Sequence, residues 1–354
     1  MTSASAQPPV EGRWTVLLLT CREPKSDFRL PLAEELQKLG HDVTYVFLKR
    51  RPTVVRMAKP ECARTFSLPA FLDYARREFR GRERLLVFNS TNLAFPGISR
   101  ALRLLCGGLW CLDMHDDLLY DREGLSRCKG KLALKLLVGG SDLIVHAAPT
   151  LKELFPTSQP LGNASPVRRI DRPQPDWGRV LILASLDARF DFPFVSATAA
   201  ANLELAFDIY GRVSQDDTAV AAALTRLTKE RSNVAYRGPY VNEDLPDILG
   251  AYPATLAPYV VGSRLTHTID PLRYYHCLNS GMEVLSTPIP KALDFGEAIH
   301  IVRTPAEVGP AVRRLASDAS ARRNIPERWR AETWDIKAAR LIEIVEAERA
   351  GHVR

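Results

Sequence analysis

The sequence has few cysteines and no long apolar run. Its six cysteines are scattered and include no Cys-x-x-Cys pair, so we expect reduced core residues in a cytoplasmic protein. No apolar run reaches the roughly 18 residues that a membrane-spanning helix needs. Residues 1–12 lack the apolar centre of a signal peptide. We expect them to form a disordered lead-in.

Common nucleotide-binding and nucleic-acid-binding motifs are also missing. The first predicted strand, WTVLLLT (14–20), is followed by the polar stretch TCREPKSDF, without a P-loop or a GxGxxG motif. Nicotinamide-dependent and P-loop functions are therefore disfavoured. The sequence shows no RNA-binding signature and few aromatic residues near its charges. Nucleic acid is not an expected partner.

Positive charge is concentrated in the first half of the chain. Residues 1–170 contain 26 Lys and Arg against 17 Asp and Glu, whereas residues 171–354 contain 22 against 24. Basic and apolar residues alternate in LKRRPTVVRMAKPECAR (48–64). This pattern is typical of a surface that lies on anionic lipid headgroups, although a solvated basic face without a partner fits it too.

Short apolar runs alternate with helical patterns along the chain. This alternation predicts parallel sheets covered on both faces. The proline-rich stretch 165–178 interrupts the pattern, which then restarts. We therefore predict an α/β protein with two Rossmann-like doubly wound domains facing a cleft. The predicted divisions are the lead-in 1–12, a first domain 13–170, a second domain 171–325 and a C-terminal helical segment 326–354.

An acidic stretch, LDMHDDLLYD (112–121), directly follows a predicted buried strand. In open parallel sheets, ligands bind beyond the carboxyl ends of the strands, so these side chains are candidates for chemistry. The stretch could supply a general base, hold a metal ion, or only form a turn in which Asp117 opens a short helix. Its candidate catalytic residues are Asp116, Asp117 and His115. No metal is required for the first of these uses.

The second candidate site lies in residues 257–290, which read as strand, polar loop, helix, glycine stop and strand. Asp270 before Pro271 predicts a capped helix start. A helix N-terminus offers free backbone N–H groups to a phosphate. The candidate binding residues of this stretch are Ser263, Arg264, Thr268, Asp270, Arg273, Tyr275 and His276. The alternative is that the stretch has no binding role and forms only a capped helix with a surface arginine.

The stretch DPLRYYHCLNSGMEVLSTPIP (270–290) resembles the C-terminal signature of GT-B glycosyltransferases. VLILASLDARFDFPFV (180–195) looks like the first strand and loop of their donor domain, and NVAYRGPYVNEDLPDILGAYPATLAPYV (233–260) resembles a further segment. LWCLDMHDDLLYD (109–121) is similar to a stretch of bacterial exopolysaccharide transferases, including the xanthan glucuronosyltransferase group. FRLPLAEELQKLGHDVTYV (28–46) fits the family's first helix and second strand.

The resemblance implies roles for single residues. Arg273 stands where the family usually holds the donor phosphates. His276 stands where many members have a glutamate for the ribose hydroxyls, and Thr268 where retaining members have a first glutamate. Because both carboxylates are absent, we expect an inverting mechanism or an unusual donor. Asp116 then corresponds to the general base, and we expect Asp113 and Asp117 to raise the pKa of Asp116 by repulsion.

These expectations combine into one predicted function. The protein is expected to move a sugar from a nucleotide-sugar, preferably a UDP-sugar, to a saccharide or polyprenyl-linked acceptor in bacterial polysaccharide or glycoconjugate synthesis. The donor is a substrate, and no cofactor is expected. The resemblance also implies that domain 13–170 binds the acceptor and that domain 171–325 binds the nucleotide-sugar. It further implies peripheral attachment at the inner face of the membrane and a C-terminal helix that braces the first domain. The alternatives are a metal-dependent hydrolase centred on residues 113–117 and a non-catalytic sugar-nucleotide or glycan binder of the same fold.

Overall fold

The computed structural model describes residues 12–22, 27–91, 93–120, 122–172, 174–213, 217–317 and 332–352. The predicted lead-in, apart from Gly12, lies outside these residues, as does Asp121 of the acidic stretch. Within the described residues, no helix has the length and apolar character needed to cross a bilayer.

The chain divides into two compact units. Unit 1 comprises Met1–Ala147, Leu151–Gly162 and Trp334–Arg354, and unit 2 comprises Ala148–Thr150 and Asn163–Thr333. The main boundary therefore follows Gly162, whereas the sequence pattern placed it after residue 170. The reason is local, since the backbone N–H of Asn163 donates to the Asp270 carboxylate within unit 2, over 2.8 Å.

Unit 1 is built on an eight-stranded sheet with the strand order β4-β3-β2-β1-β5-β6-β7-β8. The strands are β1 (Thr15–Thr20), β2 (Asp42–Phe47), β3 (Thr53–Arg56), β4 (Arg64–Thr65), β5 (Leu85–Ser90), β6 (Leu109–Met114), β7 (Leu143–His146) and β8 (Gln159–Pro160). All neighbours pair in parallel except β2–β3 and β3–β4, which are antiparallel. The basic segment 48–64 thus forms much of an antiparallel sheet edge, which the sequence pattern did not predict.

Helices cover both faces of this sheet. They are α1 (Leu30–Lys38), α2 (Leu68–Phe79), α3 (Pro96–Cys106) and α4 (Gly124–Val138). Helix α2 contacts α3, and α3 contacts α4. Because β1–α1–β2 steps along the sheet in the opposite direction to β5–α3–β6, right-handed crossovers place α1 on the other face. A 3₁₀ helix over Pro149–Glu153 follows β7.

The last helix, α12 (Trp334–His352), belongs to unit 1 and packs on α1. The Trp14 indole N–H donates to Glu346 of this helix over 2.7 Å. The return of the C-terminal helix to the first domain is therefore confirmed. Of the predicted helical segment 326–354, residues 326–331 lie outside the described residues, and Thr333 forms a β-bridge with Ser165 immediately before α12.

Unit 2 contains a six-stranded, fully parallel sheet with the order β11-β10-β9-β12-β13-β14. The strands are β9 (Arg179–Leu183), β10 (Ala206–Tyr210), β11 (Val234–Gly238), β12 (Ala254–Ala257), β13 (Glu283–Ser286) and β14 (His300–Ile301). The helices are α5 (Phe192–Ala201), α6 (Thr218–Glu230), α7 (Leu245–Gly250), α8 (Arg264–His267), α9 (Leu272–Asn279), α10 (Pro290–Asp294) and α11 (Val308–Ser317). The prediction of two Rossmann-like α/β domains is confirmed.

Candidate active site

The acidic stretch begins inside strand β6 with a buried ion pair. Arg29 holds the Asp113 carboxylate by two hydrogen bonds, from Nε over 2.8 Å and from Nη2 over 2.7 Å. Ser90 Oγ donates a third over 2.8 Å, and the side chains of Arg29 and Asp113 are 0% exposed. Burial alone would raise the pKa of Asp113, but Arg29 outweighs it and holds the pKa below its usual value.

This pairing changes the predicted electrostatics of the acidic stretch. Asp113 was expected to raise the pKa of Asp116 by like-charge repulsion. Because the Arg29 guanidinium compensates the Asp113 charge at hydrogen-bond distance, that repulsion is largely offset. Asp113 therefore serves to fix Arg29 and the end of β6, and the expectation about its effect on Asp116 is corrected.

Asp116 and Asp117 lie in the turn that follows β6. The Asp117 carboxylate is buried and accepts the backbone N–H of Leu119 over 3.0 Å. Asp117 thus caps a turn, as the bland alternative predicted. Asp116 is partly exposed, and its Oδ1 accepts the backbone N–H of Asp117 over 2.9 Å. Asp116 is therefore the carboxylate of this pair that lies toward the surface at the carboxyl end of the strand.

His115 is not oriented by an aspartate. Its Nδ1 lies 3.9 Å from Asp113 Oδ2, which is too far for a hydrogen bond. The ring instead packs edge-on against Phe28, with 5.1 Å between centroids. His115 therefore lacks the hydrogen bond to Asp113 that would orient it as a base. Among the described residues, no group of three or more His, Cys, Asp or Glu side chains is placed to hold a metal ion.

Two buried histidines predict how stability changes with pH. Burial lowers the pKa of His115 to about 4, a shift that Asp113 opposes only in part, and burial lowers the pKa of His276 to about 4 as well. Since both pKa values lie below the unfolded value of 6.5, the unfolded state binds more protons between those limits. Folding stability is therefore present above pH 6.5 and lost as the pH falls toward 4.

We expect His115→Gln and His276→Gln each to flatten this loss. Each should recover about 2 kcal/mol of the fall in unfolding free energy between about pH 7 and about pH 5. Urea unfolding at both pH values measures the difference. His267→Gln, at an exposed histidine, is the matched control and should leave the fall unchanged. An equal fall in unfolding free energy in the wild type and in all three variants would contradict the prediction.

In unit 2, charged side chains gather behind strands β9 and β12. Arg189 pairs with Asp187 through Nε and Nη2, with 3.0 Å between Nε and Oδ1. The Arg273 guanidinium lies 4.9 Å from the centre of the Tyr259 ring. Burial would raise the pKa of Asp187, but the hydrogen bonds and charge of Arg189 and the charge of Arg273 hold it below its usual value. Two arginines therefore act on the same small region at the carboxyl ends of these strands.

The loop before α9 is more ordered than its polar sequence indicates. Ser263 caps α8 by accepting the backbone N–H of Leu265 over 3.1 Å. Thr266 Oγ1 donates to the backbone carbonyl of Val260 over 2.6 Å. Arg264 is exposed, whereas Thr268, at the C-terminal end of α8, is buried. Of the predicted binding residues in this loop, Arg264 thus presents the most accessible side chain.

The predicted carboxylate cap at Asp270 is wrong. Helix α9 starts at Leu272, with Pro271 at the cap position and no side-chain cap. The Asp270 carboxylate instead accepts from the Asn163 backbone N–H over 2.8 Å and from the Tyr275 hydroxyl over 2.9 Å. Its side chain is 0% exposed. Asp270 and Tyr275 therefore satisfy each other inside unit 2, because a buried carboxylate needs nearby donors.

His276 also has a buried partner. Its Nδ1 lies 2.7 Å from Ser165 Oγ, a residue that also bridges to Thr333. Burial, followed by the nearby Arg273 charge, keeps the pKa of His276 low, so the imidazole is neutral near neutral pH. The structure thus brings Arg273 and His276 together on α9, as their spacing predicted.

Several buried polar residues were missed by the sequence analysis. Arg29, the partner of Asp113, was overlooked, although an arginine inside the otherwise apolar FRLPL is an available signal. Lys291 is nearly buried, with Nζ 3.1 Å from Asp294 Oδ2 and 3.6 Å from Asp270 Oδ1. Burial would lower the pKa of Lys291, but these carboxylates raise it above its usual value. No local pattern predicts that Arg29 pairs with Asp113, because the two residues are 84 positions apart in the chain.

Comparison with known proteins gives likeness in structure only. No protein-family model and no curated protein matches this chain. HepE from Anabaena, solved with UDP and glucose, is 12% identical, with a TM-score of 0.64 over 94% of this chain and 100% of that one. Sucrose-phosphate synthase from Thermosynechococcus elongatus is 13% identical, with a TM-score of 0.68 over 96% and 100%. An α-glucosyltransferase in complex with UDP is 11% identical, with a TM-score of 0.59 over 91% and 95%.

The chain has the GT-B fold. The likeness extends over almost the full length of both proteins in each of these pairs. It confirms the fold that the stretch 270–290 indicated. Membership of the xanthan-type group stays a prediction.

Proposed function

We propose that this protein is a glycosyltransferase that moves a sugar from a UDP-sugar to a saccharide or polyprenyl-linked acceptor. The likeness over nearly the whole chain to HepE, solved with UDP and glucose, and to an α-glucosyltransferase solved with UDP carries this proposal. Unit 2 supplies the donor site, as the resemblance of its residues 270–290 implies. Unit 1 supplies the acceptor site. We place this reaction in bacterial exopolysaccharide or glycoconjugate synthesis, because residues 109–121 resemble a stretch of bacterial exopolysaccharide transferases.

The charges behind β9 and β12 support a diphosphate site in unit 2. Arg273 offers planar N–H donors, which suit phosphate oxygens. Arg189 lies in the same region, although Asp187 already holds its guanidinium. Arg264, Ser263 and Thr268 border the donor, and Asp270 with Tyr275 supports α9 from within. As the donor breaks, Arg273 stabilises the charge on the departing diphosphate.

The chemistry we propose is inversion, with Asp116 as general base. Neither Thr268 nor His276 can supply the carboxylates of retaining members, because one is a hydroxyl and the other a neutral imidazole. Asp116 lies at the carboxyl end of β6 and is partly exposed, so it can take the proton of an acceptor hydroxyl. Asp117 is the weaker of the two carboxylates because it is buried. His115 is the weaker base because no aspartate lies within hydrogen-bond distance of its Nδ1.

One observation favours a second candidate function. His276 stands where many members of the resembled family have a glutamate that binds the ribose hydroxyls. Its Nδ1 already forms a hydrogen bond with Ser165. One remaining ring nitrogen makes a single hydrogen bond, where a carboxylate makes two. A non-catalytic protein that binds a sugar nucleotide or a glycan on this fold is thus the alternative. The alternative of a metal-dependent hydrolase is not supported, because the Asp113 carboxylate is paired with the Arg29 guanidinium.

A thermal-shift screen against UDP, GDP, CMP and ADP, with and without EDTA, tests the donor site. A ligand that binds only the folded state raises the melting temperature by mass action. We expect the largest shift with UDP, and we expect EDTA to leave it unchanged. Shifts with every nucleotide alike, or with none, would contradict a UDP-sugar donor.

Arg273→Ala should remove most of the UDP shift. A charge-assisted hydrogen bond contributes about 1.5–3 kcal/mol, so we expect UDP to bind about 10–100-fold more weakly. Arg226→Ala, at an exposed arginine of α6, is the matched control and should bind UDP as the wild type does. Unchanged affinity in both variants would remove Arg273 from the donor site.

A further inference from the structure

Helix α4 exposes leucines on the side that faces solvent. Leu125 is 73% exposed, Leu132 60% and Leu136 40%. These positions are seven and four residues apart, so they share one face of the helix. The opposite face is buried at Gly130 and Leu137. Helix α4 is therefore apolar both where it packs on unit 1 and where it meets solvent.

A neighbouring helix also exposes a leucine. Helix α3 contacts α4 and carries Leu104, which is 82% exposed. Monomeric proteins rarely leave contiguous apolar patches uncovered unless the patch binds something. We call the side chains of Leu104, Leu125, Leu132 and Leu136 the leucine surface.

The charged residues within α3 and α4 have one sign. The residues of α3 and α4 include six Lys and Arg and no Asp or Glu. Lys129, Lys131 and Lys135 are exposed and follow the leucines along α4. Leucines surrounded by lysines are the composition of a helix that lies in the interface of an anionic bilayer, with apolar side chains among the acyl chains and ammonium groups at the headgroups. A protein partner would need a matching acidic rim.

We propose that α4, with Leu104 of α3, is the surface by which unit 1 docks on an anionic lipid bilayer. This inference deepens the proposed function, on which it rests only for the lipid-linked nature of the acceptor. It moves the membrane contact from the basic segment 48–64, which forms a sheet edge, to a helix that offers both charge and apolar area.

Helix α4 packs directly against the candidate catalytic stretch. A Cβ at Gly130 would lie 2.8 Å from Leu119 Cδ2, so α4 packs tightly on the turn that follows Asp116 and Asp117. Leu118, beside that turn, shares a core cluster with Leu137 of α4 and Met114 of β6. A bilayer bound at α4 therefore has a fixed position relative to Asp116, which suits an acceptor that stays anchored in lipid.

Vesicle co-sedimentation tests the docking surface. The full chain should bind vesicles of phosphatidylcholine and phosphatidylglycerol in equal parts, and bind vesicles of phosphatidylcholine alone far more weakly. Leu132→Gln/Leu136→Gln should weaken binding by about tenfold or more. Lys129→Glu/Lys131→Glu/Lys135→Glu should do so as well, and added salt should weaken the wild type. Leu39→Gln/Leu203→Gln, at two exposed leucines outside α3 and α4, is the matched control and should bind as the wild type does.

Two outcomes would overturn the proposal. One is unchanged vesicle binding in both α4 variants. The other is a wild-type dimer in light scattering that the leucine variant dissolves, with no vesicle binding, because the surface would then cover a second copy of the chain. UDP thermal shifts on the same variants keep the two proposals apart. Loss of vesicle binding with an intact UDP shift concerns α4 alone, whereas a missing UDP shift in the wild type concerns the donor site alone.

Discussion

Arg29→Met should lower the free energy of unfolding by about 3–5 kcal/mol, because it leaves a buried carboxylate without its counter-charge. Arg29 and Asp113 are both 0% exposed, and Arg29 makes two of the three hydrogen bonds to that carboxylate. Methionine fills much of the arginine volume, so the expected loss is mainly electrostatic. Urea unfolding near neutral pH measures it.

A second ion pair of unit 1 provides the matched control. Arg103 also holds Asp142 by two hydrogen bonds, of 2.9 and 2.7 Å, but its side chain is 33% exposed. Water screens this pair, so Arg103→Met should cost at most about 1 kcal/mol. Similar losses of unfolding free energy in Arg29→Met and Arg103→Met would show that burial does not determine how much the Arg29–Asp113 pair stabilises the protein.

A second variant separates the missing charge from the missing contact. Adding Asp113→Asn to Arg29→Met removes the unpaired charge while it keeps the shape of the side chain. We expect this double variant to recover part of the lost stability, since the two residues are in direct contact and their effects should not add. A double variant less stable than Arg29→Met would contradict the electrostatic account.

The strands could be predicted because parallel sheets are buried on both faces. Strand β5 is buried at every position, and β1 at all but its first, so such strands read as continuous apolar runs. Helix α5 was missed for a related reason. Its sequence FPFVSATAAA is apolar or small all round, so no helical period stands out. The Asp191 cap, which accepts the Phe194 N–H over 2.8 Å ahead of that run, was the available signal.

The candidate site could be predicted in part. The position of Asp116 after a strand indicated this residue, because open parallel sheets bind ligands at that edge. Arg273 was indicated by the predicted helix start and by the family resemblance. The partners of the buried groups were not predictable, since Arg29 meets Asp113 across 84 residues and Asn163 meets Asp270 across 107. A local pattern can favour a cap at Asp270, but only the fold decides which donors surround its carboxylate.

Asp116→Asn should lower kcat for sugar transfer by about 10²–10⁴-fold, which is the usual contribution of a positioned general base. An asparagine can still accept the Asp117 backbone N–H that Asp116 accepts over 2.9 Å, so we expect the turn to keep its shape. The affinity for UDP should not change, because the proposed donor site lies in unit 2. Release of UDP from the UDP-sugar with the largest thermal shift, in the presence of saccharide acceptors, measures the rate.

Asp117→Asn is the matched control for the base. The Asp117 carboxylate is buried and caps the Leu119 N–H, a role that an amide oxygen can also fill. We therefore expect a loss in kcat of less than about tenfold. If Asp116→Asn keeps full activity while Asp117→Asn loses it, the base is Asp117. If the product keeps the anomeric configuration of the donor, neither carboxylate acts as the base of an inverting transfer, because inversion is the outcome of a single direct displacement at the anomeric carbon.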